Sequence, residues 1–310
     1  MTRILNTTKW AVLALSFGLM AACSDSGSDD EATKPAASND PPPAAQSTLA
    51  AAKAAGKIRI GYANEAPYAY MDSEKNQITG EAVEIARVVL KRMGINEVEG
   101  VLTEFGSLIP GLQAKRFDII AAGMYVTPER CQQVAFSNPT YGVGQSFLVQ
   151  KGNPKNLHSY EDVAKQDDAR LGVVVGAIES EYASKMDIPV DRVVVFPDVV
   201  SALSGVQAGR ADAYAATAMT VNDLMKKTAT GDLEKADPFT DPVVDGKSVR
   251  GYGAFGFRKD DQEFVDAFNA ELAKFIGTEE HAKIVAPFGF TKDELPGDVT
   301  AAKLCAANGQ

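Results

Sequence analysis

From Lys57 onward, short apolar runs alternate with longer stretches whose apolar residues recur at helical spacing. The short runs, rich in β-branched and other apolar residues, predict strands: KIRIGYA, VEGVLTEF, FDIIAAGM and SFLVQKG, then RLGVVVG, RVVVFP and ADAYAAT, and finally VRGYGAFGFRK. Between them GEAVEIARVVLKRMG, SLIPGLQAKR, LHSYEDVA, ESEYASKM, VVSALSGVQAG and MTVNDLMKKT predict helices. Such alternation predicts a parallel α/β architecture. The pattern restarts after Lys151, so two units are expected, with residues 49–149 plus 250–310 forming the first and 150–249 the second. The late amphipathic runs DQEFVDAFNAELAKFIG and TEEHAKIVAPFG need an apolar surface and are placed back on the first unit. Two crossings, near Phe147–Gly152 and Val249–Phe257, would then hinge around a cleft.

The segment 104–141 is the most informative. After the strand FDIIAAGM, Thr127 stands as an N-cap and Pro128 at the first helical position, which puts Arg130 in the first turn of a new helix. Ligands of open α/β sheets bind outside the carboxyl ends of the strands, where Gly123, Tyr125, Thr127 and Arg130 would fall. A small anion suits that place, and a ligand-binding protein is implied. The competing reading of Arg130 is a surface salt bridge.

The first residues combine a basic start (Arg3, Lys9), an apolar run from Trp10 to Ala22 and small residues before Cys23, which together predict a signal peptide over 1–22. Ala21, Ala22 and Cys23 resemble a lipobox, with Met20 where leucine is commoner; the alternative is ordinary cleavage beside a chance cysteine. Residues 23–48 hold almost no large apolar side chain and predict a disordered tether behind a lipidated Cys23. No later apolar run is long enough to span a bilayer. The formal charge of −10 becomes more negative once Arg3 and Lys9 leave with the signal, and without a basic stripe nucleic acid is excluded as a partner.

Cys131 and Cys305 remain after Cys23 is set aside. In an oxidising compartment they could pair as one disulfide, stapling the tail to the segment that bears Arg130; two buried free thiols are the alternative. With only His158 and His281 scattered elsewhere, no metal site and no cofactor is implied.

IRIGYANEAPYAY, FGSLIPGLQAKRFDIIAAGMYVTPER, AFSNPTY and VSALSGVQAGRADAYAAT make nearly the whole body resemble periplasmic solute-binding proteins of the polar amino acid ABC-importer class. ANEAPYAY, TEFGSLIPGL, AAGMYVTPERC and FSNPTYGVG are most similar to the ectoine and hydroxyectoine receptors of that class. The resemblance implies a two-domain, type II α/β architecture with a hinged interdomain cleft. It further implies a monomeric, non-enzymatic, lipid-anchored protein, periplasmic or at the cell surface, that passes a small zwitterionic solute to a membrane permease.

Ectoine joins a carboxylate to a ring whose positive charge is spread over an amidine. The resemblance implies Arg130 as the carboxylate clamp, Glu65 as the counter-charge, and Tyr68, Phe105 and Tyr125 as the walls of an aromatic box. Backbone N–H groups near Tyr125 and Thr127, and across the cleft at Gly176, Ala177 and Ile178, would share the carboxylate. Thr217 stands where many α-amino-acid receptors of the class place an aspartate for the free ammonium, which shifts the cationic duty to Glu65. A receptor for glutamine or arginine is the alternative within the class. An exported dehydratase-like enzyme, with Glu65 as its general base, is the alternative outside it.

Overall fold

The computed structural model describes residues 46–306 apart from 228–230 and 245. The predicted signal peptide, lipidation at Cys23 and nearly all of the tether lie outside the described residues.

Two sheets organise the body. The first is ordered Glu97–Leu102, Lys57–Tyr62, Ile119–Tyr125, Gly251–Phe257 and Ala135–Phe136, with Tyr141–Val143 also pairing to Gly251–Phe257. The second is ordered Val193–Phe196, Leu171–Val174, Ala213–Thr217, Gln145–Gln150 and Leu233–Lys235. Each sheet has a parallel core of three strands. The expectation of a parallel architecture therefore needs one correction. Gly251–Phe257 and Gln145–Gln150 each run antiparallel to their neighbours, because they carry the chain across from the opposite unit.

Gln145–Gln150 also pairs along its length with Ala213–Thr217 in the second sheet. The first crossing thus falls just before Gln145, earlier than the expected Phe147–Gly152, and the strand, all but Gln150 of it expected in the first unit, belongs to the second sheet. Its uniformly apolar inner run, Phe147 to Val149, suits either sheet, and no turn signal marks the change.

Local chemistry explains the elements. Ile119–Tyr125 is buried along both faces, as a central strand between covered surfaces must be. Helix Glu81–Arg92 buries Ala82, Val83, Ile85, Ala86, Val89 and Leu90 at the spacing of one helical face. Helices Gln262–Ala273 and Glu279–Val285 both pack on it, and Arg92 pairs with Glu280 across the junction. The late amphipathic runs accordingly cover the first sheet. Thr127 caps the four-residue helix Pro128–Cys131 through its hydroxyl, which accepts from the Arg130 N–H at 3.3 Å. Cys131 is bonded to Cys305 with Cα atoms 5.7 Å apart, tying the terminal helix Ala301–Ala306 to the Arg130 segment.

Candidate functional site

The carboxyl ends of the two parallel cores face each other. Tyr62, Leu102 and Tyr125 end strands of the first sheet, and Val174 and Thr217 end strands of the second. The connections leaving these ends supply the side chains between them. Glu65, Tyr68, Phe105, Tyr125, Arg130, Ala177, Ile178 and Thr217, eight of the expected site residues, line one cavity of about 30 Å³.

Three hydrogen-bonded contacts cross this space. Arg130 donates from Nη2 to the Gly176 carbonyl at 3.0 Å and from Nη1 to the Tyr125 carbonyl on its own side at 2.8 Å. Its guanidinium also lies 5.6 Å from the centre of the Phe105 ring. The Thr220 hydroxyl donates to Glu65 Oε1 at 2.7 Å, and Tyr68 Oη lies 2.8 Å from Thr217 Oγ1. Thr217 and Thr220 are themselves 3.0 Å apart. A hydroxyl has one proton to give, so Thr220, committed to Glu65, accepts from Thr217, which in turn accepts from Tyr68. One directed chain, Tyr68 to Thr217 to Thr220 to Glu65, thus stitches the two sides together.

The aromatic residues are held from behind. Tyr68 stacks on Tyr141 with centroids 5.1 Å apart, Tyr125 meets Tyr141 edge-on at 6.3 Å, and Tyr141 Oη donates to the Gly123 carbonyl. Phe105 opens a 3-10 turn, Phe105–Ser107, because the strand predicted through VEGVLTEF ends at Leu102.

Two expected residues take other places. Thr127 lies in a neighbouring crevice of about 220 Å³ beside Tyr182 and Ser248–Tyr252, where its hydroxyl is engaged as the helix cap. Gly176 contributes its carbonyl to Arg130 rather than an N–H to a ligand. The Ala177 N–H is likewise turned back onto the Val174 carbonyl. The helix beyond them opens on Glu179, whose carboxylate is favoured by its own backbone N–H.

Glu179 is the charged lining residue that sequence reasoning missed, beside the uncharged Val174, Tyr214 and Ala216. It is 4% exposed and lines the cavity with Arg130 and Glu65. With the Gln145 amide oriented to satisfy its neighbours, its nitrogen donates to Glu179 Oε1 at 2.9 Å and to the Ala216 carbonyl at 3.1 Å. Burial pushes the carboxyl of Glu179 up to about 7; the charge of Glu65 adds to the rise, while its backbone N–H, Arg130 and Gln145 oppose it. Burial likewise lifts Glu65 to about 7 against the Thr220 hydrogen bond. Arg130 is pulled below its ordinary value by burial, with Glu179 and Glu181 holding it up. Strand-to-helix position in VVVGAIES was the available signal, but it drew attention to the backbone before the helix rather than to the first helical side chain.

A cleft between the carboxyl ends of two sheets, with a guanidinium, carboxylates and aromatic walls converging in it, defines a receptor for a small charged solute. The chain belongs to the bacterial extracellular solute-binding proteins, family 3, whose model matches residues 58–291. It is similar to a probable amino-acid ABC transporter periplasmic-binding protein of Sinorhizobium fredii, with 42% identity over 84% of this chain and 86% of that protein. The lysine/arginine/ornithine-binding periplasmic protein of Escherichia coli is 30% identical over 70% of this chain and 81% of its own length. Among solved structures, EhuB in complex with hydroxyectoine is 38% identical and superposes with a TM-score of 0.76 over 84% of this chain and 98% of that one. The two-domain periplasmic-binding-protein fold and membership of the amino-acid ABC-importer class follow, and the class is extracytoplasmic.

Proposed function

We propose that this protein captures a cyclic zwitterion of the ectoine and hydroxyectoine type in the interdomain cleft and delivers it to an ABC-importer permease. The observation that carries the reading is the convergence of Arg130, Glu65, Tyr68, Phe105 and Tyr125 on one cavity. Arg130 grips the solute carboxylate through its planar fork, each well-formed charge-assisted hydrogen bond contributing roughly 1.5–3 kcal/mol. Glu65 meets the amidinium, and the rings of Tyr68, Phe105 and Tyr125 face its delocalised charge, each cation–π contact contributing about 0.5–2 kcal/mol. Thr217 offers a hydroxyl already bonded to Tyr68, so no carboxylate stands there for a free α-ammonium. The likeness to the hydroxyectoine complex of EhuB supports this reading.

Residues on either side of the crossings before Gln145 and through Gly251–Phe257 move as two domains. The solute enters when the bonds from Arg130 to Gly176 and from Thr220 to Glu65 are broken, and closure re-forms the binding walls for the permease to recognise. Cys23 anchors the mature protein to a membrane through lipid.

A second reading, a receptor for a cationic amino acid such as arginine, is favoured by the second carboxylate, Glu179, and by the likeness to the lysine/arginine/ornithine-binding protein. Calorimetric titration with ectoine, hydroxyectoine, proline, glutamine and arginine decides between them. Tight binding of ectoine or its hydroxylated form alone supports the first reading; binding of a linear amino acid instead removes it.

A further inference from the structure

Two carboxylates and one guanidinium line the cavity between the domains. Glu65 enters from the loop after Lys57–Tyr62 and has the Thr220 hydroxyl as donor. Glu179 enters from the opposite side, with the Gln145 amide and its own backbone N–H as donors. Arg130 is the positive group that faces Glu179, and Glu181, on Glu179's own helix, faces Arg130 as well. Glu181 is itself paired with Lys185 Nζ at 2.6 Å; Asp241, which accepts from the Gln145 backbone N–H, and Glu81, which acts on Tyr68 and Tyr141, stand behind these groups, and the remaining titratable neighbours are phenols. Tyr68 and Tyr125 from the first sheet's side, Tyr160 from helix Tyr160–Lys165, Tyr182 and Tyr214 are all kept neutral by burial. With Glu181 balanced by Lys185, and with both cavity carboxylates ionised against Arg130 alone, the groups that line the closed cavity carry one net negative charge. Like charges in a shared, poorly solvated site do not ionise independently; the pair holds on to a proton.

We propose that Glu65 and Glu179, which line one cavity from opposite sides, hold one proton between them, and that Glu179 thereby sets the net charge of the solute on which the cleft closes. The inference deepens the solute-binding reading and rests on it. A zwitterion brings its own carboxylate to Arg130 and one positive charge to the carboxylate pair. The closed complex is then neutral only when the pair keeps its proton. Above neutral pH the free pair loses that proton, and closing on a zwitterion must take it back. A cationic amino acid brings a second positive group, matches the fully ionised pair and drives the proton off. Burial, which raises both carboxyls to about 7, puts this exchange in the physiological range.

The test is calorimetry of the full-length protein with ectoine and with arginine, from about pH 6 to about pH 8.5, in buffers of different ionisation enthalpy, so that proton exchange is read directly. Wild type and Glu179→Gln are compared; glutamine keeps the shape and still accepts from Gln145. Ectoine binding is expected to be tightest near neutrality and to weaken above it with proton uptake, by at most about tenfold per pH unit for one proton. In Glu179→Gln the uptake above neutrality disappears and ectoine affinity becomes flat there. Arginine, where it binds, gains affinity with rising pH and loses it in Glu179→Gln. Ectoine binding to wild type without proton exchange, or with the same exchange in the variant, overturns the proposal. If neither solute binds, the solute reading fails, and the proton sharing is decided on the free protein by carbon NMR of labelled glutamates. Loss of the Glu179 charge must lower the Glu65 titration midpoint; an unchanged midpoint overturns the proposal.

Discussion

Gly176 is where the closed state can be attacked without touching a ligand-facing side chain. Its φ is +74°, and a Cβ added there would lie 2.5 Å from Gly106 Cα and 3.1 Å from Gly106 N, both backbone atoms of the opposite domain. Gly176→Ala therefore carries two separable costs. Left-handed backbone strain of about 1–2 kcal/mol is present whether the domains are open or closed, so it lowers unfolding stability but leaves affinity alone. The clash exists only on closure, and overpacking of this kind costs about 1–3 kcal/mol, which weakens solute binding roughly 5- to 150-fold. Gly152 supplies the control, because its φ of +78° imposes the same strain while a Cβ there meets nothing within 4 Å. Gly152→Ala should melt earlier to a similar degree and bind as wild type does. Titration calorimetry measures the affinities, and small-angle scattering with and without solute measures closure. If Gly176→Ala binds and closes like wild type, or if Gly152→Ala weakens binding as much, the meeting of Gly106 and Gly176 is not a determinant of the closed state.

Arg130→Ala removes the proposed clamp, two charge-assisted bonds or about 3–6 kcal/mol, so binding should fall by more than about a hundredfold while circular dichroism stays native; unchanged affinity removes Arg130 from the site. Tyr125→Phe keeps the ring and deletes a buried hydroxyl that has no partner among the described residues, so thermal stability should hold or rise while solute affinity drops several-fold. Glu81, 1% exposed at the start of its helix and outside the cleft, is pushed by burial up to about 8. Its folded value lies above its unfolded one, so its contribution is full below about pH 4.5 and is lost as pH rises towards 8, on the order of a few kcal/mol. Glu81→Gln should flatten the decline of melting temperature over that window, and a slope equal to wild type would contradict the assignment. Cys305→Ser opens a link spanning 174 positions, for which chain entropy sets a ceiling of about 5 kcal/mol. The tied helix buries only Ala301, so fraying of Ala301–Ala306, seen as faster amide exchange, should come with a smaller loss than that ceiling.

Most of the fold was legible because each strand-to-helix alternation announces itself locally, and Thr127 with Pro128 fixed the turn that carries Arg130. The antiparallel crossing strands were not legible. Nothing local distinguishes a run such as SFLVQKG that ends one domain from one that begins the next, since its near-continuous burial is that of any covered central strand.

The same limit explains the site. Eight of the ten expected binding residues line the cavity because the rule that ligands sit beyond strand ends needs only the order of elements. Orientation is a different matter. Gly176 was expected to offer an N–H, yet its positive φ and the arriving Arg130 leave its carbonyl facing the guanidinium. Glu179 looked like an ordinary acidic residue in a helix's first turn, where a solvated carboxylate is commonplace. What makes it different is its burial beside groups far along the chain: the Gln145 amide on a crossing strand, which donates to it, and the charge of Arg130 from the opposite domain, which lines the same cavity. Local sequence can place a carboxylate at a helix start, but its electrostatic work is set by the domain that closes over it. That is why the pairing of Glu179 with Glu65, rather than either residue alone, is the feature on which solute charge selection should turn.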